Sequence, residues 1–169
     1  KGEDEPFNRH LKMRKAEGTR VNLNLIGEVV LGEEEAEERM EKYLKALTNP
    51  NIDYISIKIS TIFSQISALD FDHTVEVLVE KLSKIYAQAQ KYPYIAPNGT
   101  KSNKFINLDM EEYRDLDITV EVFKKTLEKP EFKDFYAGIV LRAYLPDSFN
   151  VQKDLCEWSK VRVENGGAP

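Results

Sequence analysis

Three short segments end an apolar-alternating run on a charge: Tyr54-Ile55-Ser56-Ile57-Lys58, Phe105-Ile106-Asn107-Leu108-Asp109 and Gly138-Ile139-Val140-Leu141-Arg142. Successive side chains on a β-strand alternate between faces, so each charge shares a face with the residues two and four before it. The isoleucines and leucines of all three segments take the opposite face. A lysine, an aspartate and an arginine are therefore expected to converge at one rim of one sheet. Such a set grips a small zwitterion, with the cations on its carboxylate and the anion near its amine or a partner arginine. A lysine at a strand end also suits Schiff-base chemistry of the aldolase kind. The alternative is an ion-pair network that merely fills space, because structural networks put charges in the same position.

Four strand–helix units must position these charges. The stretch Lys1 to Arg20 is polar and weakly periodic, and reads as a lead-in with a short helix at most. Val21 to Ile26 follows as a period-2 strand with Asn22 and Asn24 on its polar face. Glu33 to Leu47 carries apolar residues three and four apart and reads as a helix. The second strand, Tyr54 to Ser60, leads to a helix over about 72–90, for which Asp70 or Asp72 is the expected N-cap. Lys91 to Lys104 contains two prolines and a glycine and reads as a long loop, with Asn98-Gly99-Thr100 as a turn. Phe105 to Asp109 is the third strand, followed by a helix from Glu111 or Tyr113 to Glu128. Gly138 to Tyr144 is the fourth strand, and a helix over about 150–164 follows the Pro146-Asp147-Ser148 cap.

Repeated strand–helix alternation implies a parallel sheet with right-handed crossovers. A doubly wound sheet buries both faces and gives near-continuous apolar strands. Here one face is polar or small (Asn22, Asn24, Ser56, Lys58, Asn107, Asp109, Gly138, Arg142). Helices on one side and polar groups pointing inward suit a (β/α)8 barrel, whose active site lies at the C-terminal ends of the strands. The fold class is α/β, with residues 21–169 forming the first four βα units, a half-barrel of TIM type. Two unpaired edges and an open polar face are hazardous for an isolated protein. The chain, which begins at Lys1 rather than a methionine, is therefore expected to be a piece of a longer one, or to self-associate through its open sheet edges as a non-catalytic protein.

Composition narrows the partners. A net charge of −5 over 169 residues argues against nucleic acid, which needs a basic patch. Acidic runs at 33–41 and 111–117 read as solvated faces and first-turn charges of helices. Cys156 is the only cysteine, which excludes an internal disulfide and suits a reducing compartment such as the cytoplasm. No apolar run approaches the ~20 residues that span a bilayer. His10, His73, Leu155 and Trp158 read as surface or packing residues, and no metal site is indicated.

Longer segments carry a resemblance. Phe105 to Tyr113, with Asp115-Leu116 and Thr119, resembles the third-strand region of proline dehydrogenases. Gly138 to Ser148 resembles the fourth-strand motif of that family, and Asn24 to Glu33 its first strand and turn. Leu155, Trp158, Arg162 and Gly166-Gly167 match the helix before its fifth strand. The resemblance covers nearly all of 20–169 and is similar to the proline dehydrogenase part of bifunctional proline utilization A proteins, which also carry a glutamate-semialdehyde dehydrogenase module.

The resemblance implies an FAD enzyme that oxidises L-proline to pyrroline-5-carboxylate by hydride transfer to flavin N5. It also implies a quinone acceptor, reached by peripheral association with the inner face of the membrane. Lys58 matches the lysine beside the proline carboxylate, and Asp109 the aspartate that braces the pocket near the flavin. Met110 follows at the flavin edge, while Val140 and Arg142 match positions lining the isoalloxazine. Arg142 departs from the glutamine of many members, and a cation there favours an anionic reduced flavin. The family's flavin-binding Arg-Val-Lys-Gly motif and its paired substrate arginines are not in these residues. On their own, the 169 residues are thus expected to bind little FAD and to turn over no proline.

Overall fold

The computed structural model describes residues 4–25 and 30–169. In chain order the elements are α1 (Asp4–Ala16), β1 (Asn22–Asn24), α2 (Glu33–Leu47), β2 (Tyr54–Lys58), the single turn α3 (Ile59–Ile62) and α4 (Phe71–Lys91). They continue with β3 (Tyr94–Ile95), β4 (Lys101–Ser102), β5 (Phe105–Asp109), α5 (Leu116–Leu127), β6 (Ala137–Val140) and α6 (Pro146–Glu164). One sheet runs β1-β2-β5-β6 with every pairing parallel, which is the half-barrel of four βα units. Register aligns Ser56 with Asn107 and Lys58 with Asp109 across β2 and β5, and Asn107 with Gly138 and Asp109 with Val140 across β5 and β6.

The two faces of the sheet differ as the alternation requires. Ile55, Ile57, Ile106 and Leu108 are fully buried against the helices, where they meet Leu78, Leu82, Ile85 and Val122. Each contributes roughly 1.5–3 kcal/mol of transfer free energy, which makes this layer the chief fixture of the strands. On the other face, Tyr54 and Phe105 meet edge to face at 5.1 Å and close the N-terminal end. Polar residues occupy the rest of that face toward the C-terminal end.

One buried and one half-buried cation tie the scaffold. Lys104 is 0 % exposed, and its Nζ donates to the carbonyls of Asn49 (2.5 Å) and Ile52 (2.6 Å) between α2 and β2. Burial pulls its amine down to about 8. Arg162 of α6 donates to the carbonyls of Leu127, Phe132 (2.7 Å), Lys133 (2.8 Å) and Ala168 (2.7 Å). It thereby satisfies the end of α5 and pins the segment leading into β6.

Several elements depart from the sequence reading. α1 runs 13 residues where a short helix at most was expected, held by Leu11 in the core. β1 is shorter than 21–26, and Ile26 lies outside the described residues. The 91–104 loop contains the hairpin β3–β4, turned by Gly99 at φ +81°, with Asn98 accepting from the Thr100 amide at 3.0 Å. Asp70 occupies the N-cap position of α4 without a side-chain capping bond. β6 stops at Val140 because the chain turns there, Leu145 donating back to the Arg142 carbonyl, and Pro146 opens α6.

Candidate functional site

Lys58 and Asp109 end the two central strands, side by side on the open face. Their side chains do not pair with each other. Lys58 Nζ donates to Glu111 Oε1 at 2.5 Å, and Ser60 Oγ donates to Glu111 Oε2 at 3.0 Å. Burial pushes the Glu111 carboxyl up, but the Lys58 and Ser60 hydrogen bonds and the Lys58 charge outweigh it and hold it below the usual carboxylate range. This glutamate was expected on a solvated helix face; instead it precedes α5 and belongs to the site.

Asp109 has a different environment. Asn107 Nδ2 donates to its Oδ1 at 2.5 Å, and the Ser56 hydroxyl also donates to it. Ser56 in turn accepts from Asn22 Nδ2 at 2.9 Å, so the polar face is linked from β1 through β2 to β5. Burial pushes the Asp109 carboxyl up; the Asn107 and Ser56 bonds and the Lys58 charge only partly offset it. Asp109 is thus the strand-end group most easily protonated near a substrate, while Glu111 stays ionised.

Arg142 lies two residues beyond β6 rather than on it. Its Nε donates to the Met110 carbonyl at 3.3 Å and its Nη1 to the Tyr144 hydroxyl at 2.6 Å. The guanidinium also acts electrostatically on Glu111, so it joins the group at one remove. Met110 offers this carbonyl, and its side chain is buried at 4 % exposure. Val140, at 41 % exposure, presents an apolar surface beside the charges.

The sequence reading brought together Lys58, Asp109 and, less directly, Arg142. It placed Asn107 on the polar face without a role, and missed Glu111, Ser60 and Tyr144. A signal existed: each partner lies two residues from one of these charges, as in 58/60, 107/109, 109/111 and 142/144.

One wall of a planar ring site fits these residues. Val140 supplies an apolar surface, Arg142 a cation whose Nη2 has no partner among the described residues, and Lys58 a second cation. Cys156 is exposed, and no cluster of metal-ligating side chains occurs among the described residues. Nor is any described helix long and apolar enough to cross a membrane.

The proline dehydrogenase family model matches residues 7–166. The structure of proline utilization A from Corynebacterium freiburgense superimposes with a TM-score of 0.89 at 42% identity, over 98% of this chain and 16% of that one. Proline utilization A from Bdellovibrio bacteriovorus, inactivated by N-propargylglycine, gives 0.77 at 30% identity, over 94% of this chain and 18% of that one. A proline utilization A structure with proline bound in remote sites, at 18% identity and a TM-score of 0.71, shares the fold. The chain therefore spans less than a fifth of the length of these structures. No curated protein matches it.

Proposed function

The chain belongs to the proline dehydrogenase family, and on that premise we propose that its strand ends form one wall of a site that oxidises L-proline to pyrroline-5-carboxylate. The observation that carries this reading is the adjacency of Lys58 and Asp109 at the C-terminal ends of β2 and β5, where barrel enzymes hold their substrates. Oxidation removes a hydride from the ring carbon next to nitrogen and a proton from the nitrogen, leaving a C=N bond. FAD, when bound, supplies the hydride acceptor at N5, and a quinone at the membrane surface takes the electrons onward.

Each residue then has a task. Lys58 binds the proline carboxylate with the donors that Glu111 leaves free, because Glu111 engages one of three. Asp109 orients the ring nitrogen and braces the cofactor edge. Val140 and the Met110 backbone line the ring system, and Arg142 holds a positive charge beside it. The four βα units supply half of this site, so alone they lack the opposing contacts and bind FAD weakly.

A second reading has one specific observation in its favour: a half-buried lysine at a barrel strand end, as Schiff-base aldolases use. Borohydride with a carbonyl substrate separates the two. The proline-oxidation reading expects no trapped adduct at Lys58, and proline-dependent dye reduction that survives in part in Lys58→Arg. A trapped adduct, with activity abolished by the arginine, overturns it.

A further inference from the structure

Asn107 and Ser56 are polar side chains held in the interior of the sheet, at 6 % and 1 % exposure. Burying an amide and a hydroxyl is costly unless every group finds a partner. Both direct hydrogen bonds at one acceptor, the Asp109 carboxylate. Asn22 donates to the Ser56 oxygen, which leaves the Ser56 hydrogen free to point at Asp109. Gly138 completes the arrangement. A Cβ there would lie 2.8 Å from Asn107 Oδ1 and 2.8 Å from Phe105 Cζ, so only glycine lets the Asn107 amide stand across β6. Gly138 is the register partner of Asn107, which makes this a local requirement of the strand pair rather than of a turn.

We propose that Asn107, Ser56 and Gly138 are positioning residues that fix the orientation of the Asp109 carboxylate for the reaction. The inference rests on the role given to Asp109 above. Two donors on one carboxylate hold its plane and leave the remaining lone pairs directed at the open face, where substrate and cofactor would lie. They also favour the ionised form against burial. Lys58 on β2 acts in the same direction, Glu111 after β5 opposes it, and the Tyr43 hydroxyl of α2 lies within electrostatic reach.

Infrared pH titration of the cofactor-stripped complete enzyme tests this without turnover, using the protonated-carboxyl band lost in Asp109→Asn. Loss of one charge-assisted hydrogen bond in Asn107→Ala or Ser56→Ala should raise the protonation midpoint by about one pH unit, a tenfold tighter proton. Ser56→Thr, which keeps the hydroxyl, should restore the parent midpoint. Gly138→Ala should reproduce Asn107→Ala and add nothing when combined with it. If Gly138→Ala does not fold, the other variants decide. Midpoints that do not move in folded Asn107→Ala and Ser56→Ala overturn the proposal. The acid limb of the kcat/KM profile for L-proline should move with the infrared midpoint. An infrared shift with an unmoved kcat/KM profile supports the hydrogen-bonded set and refutes the role of Asp109 in proline oxidation.

Discussion

Replacing Lys58 with methionine isolates the contact proposed for the substrate carboxylate. Methionine keeps the length and apolar stem of the side chain, so the strand end retains its packing. What disappears is one ammonium. At 4 Å and an effective dielectric of 20, a carboxylate–ammonium contact is worth about 4 kcal/mol. Not all of it is available, because Nζ already lies 2.5 Å from Glu111 and the two side chains are 22 % and 33 % exposed. A charge-assisted hydrogen bond nets roughly 1.5–3 kcal/mol, which corresponds to about 10- to 150-fold in affinity. Steady-state proline oxidation by the complete enzyme with an artificial dye should therefore show KM raised within that range. The kcat should fall by much less, since the role proposed for the ammonium is at the carboxylate and not at the reacting carbon. Lys58→Arg restores the charge and should recover most of the loss. A KM for Lys58→Met close to that of the parent would refute the placement of the proline carboxylate at Lys58.

Three further outcomes follow from the scaffold. Glu111→Gln should cost about 1 kcal/mol of stability at neutral pH, a value reduced for its partial exposure. Its folded carboxyl lies below the ordinary 4.5, so the contribution is present above pH 4.5 and is lost as pH falls through the folded value; parent and variant stability curves should converge there. Lys104 behaves oppositely to a paired lysine. Its folded amine titrates at about 8 against 10.5 unfolded, so the unfolded chain holds more protons between these values and stability rises with pH by up to about 3 kcal/mol. Chemical denaturation across that range should show the rise in the parent and not in Lys104→Met. Arg162→Met strands the carbonyls of Leu127, Phe132, Lys133 and Ala168, and thermal melts should reveal a loss of about 2–4 kcal/mol.

Much of the scaffold was legible because two periodicities were clean. The bounds of β5 read directly from Phe105-Ile106-Asn107-Leu108-Asp109, since each aliphatic residue is paired with a polar one and the helices cover only one face. The register that sets Lys58 beside Asp109 follows from the matching lengths of β2 and β5. Arg142 was harder. Its alternation continues past Val140, yet Pro146 and the turn closed by Leu145 end the strand first, so tertiary geometry overrides the local pattern. Glu111 resembled a first-turn helix charge because acidic residues cluster around it, and no local rule says that Lys58, 53 residues earlier, claims it. The length of α1 was hidden for a similar reason: its own pattern is weakly apolar, and Leu11 finds its place only against the core.

We propose above that these strand ends belong to a flavin site that takes electrons from L-proline. Anaerobic titration of the complete enzyme with L-proline, followed by flavin absorbance, tests it most directly. L-proline should bleach the flavin, and Lys58→Met should require about 10- to 150-fold more proline for the same bleaching. A flavin that L-proline leaves oxidised, or bleaching indifferent to Lys58, would contradict it.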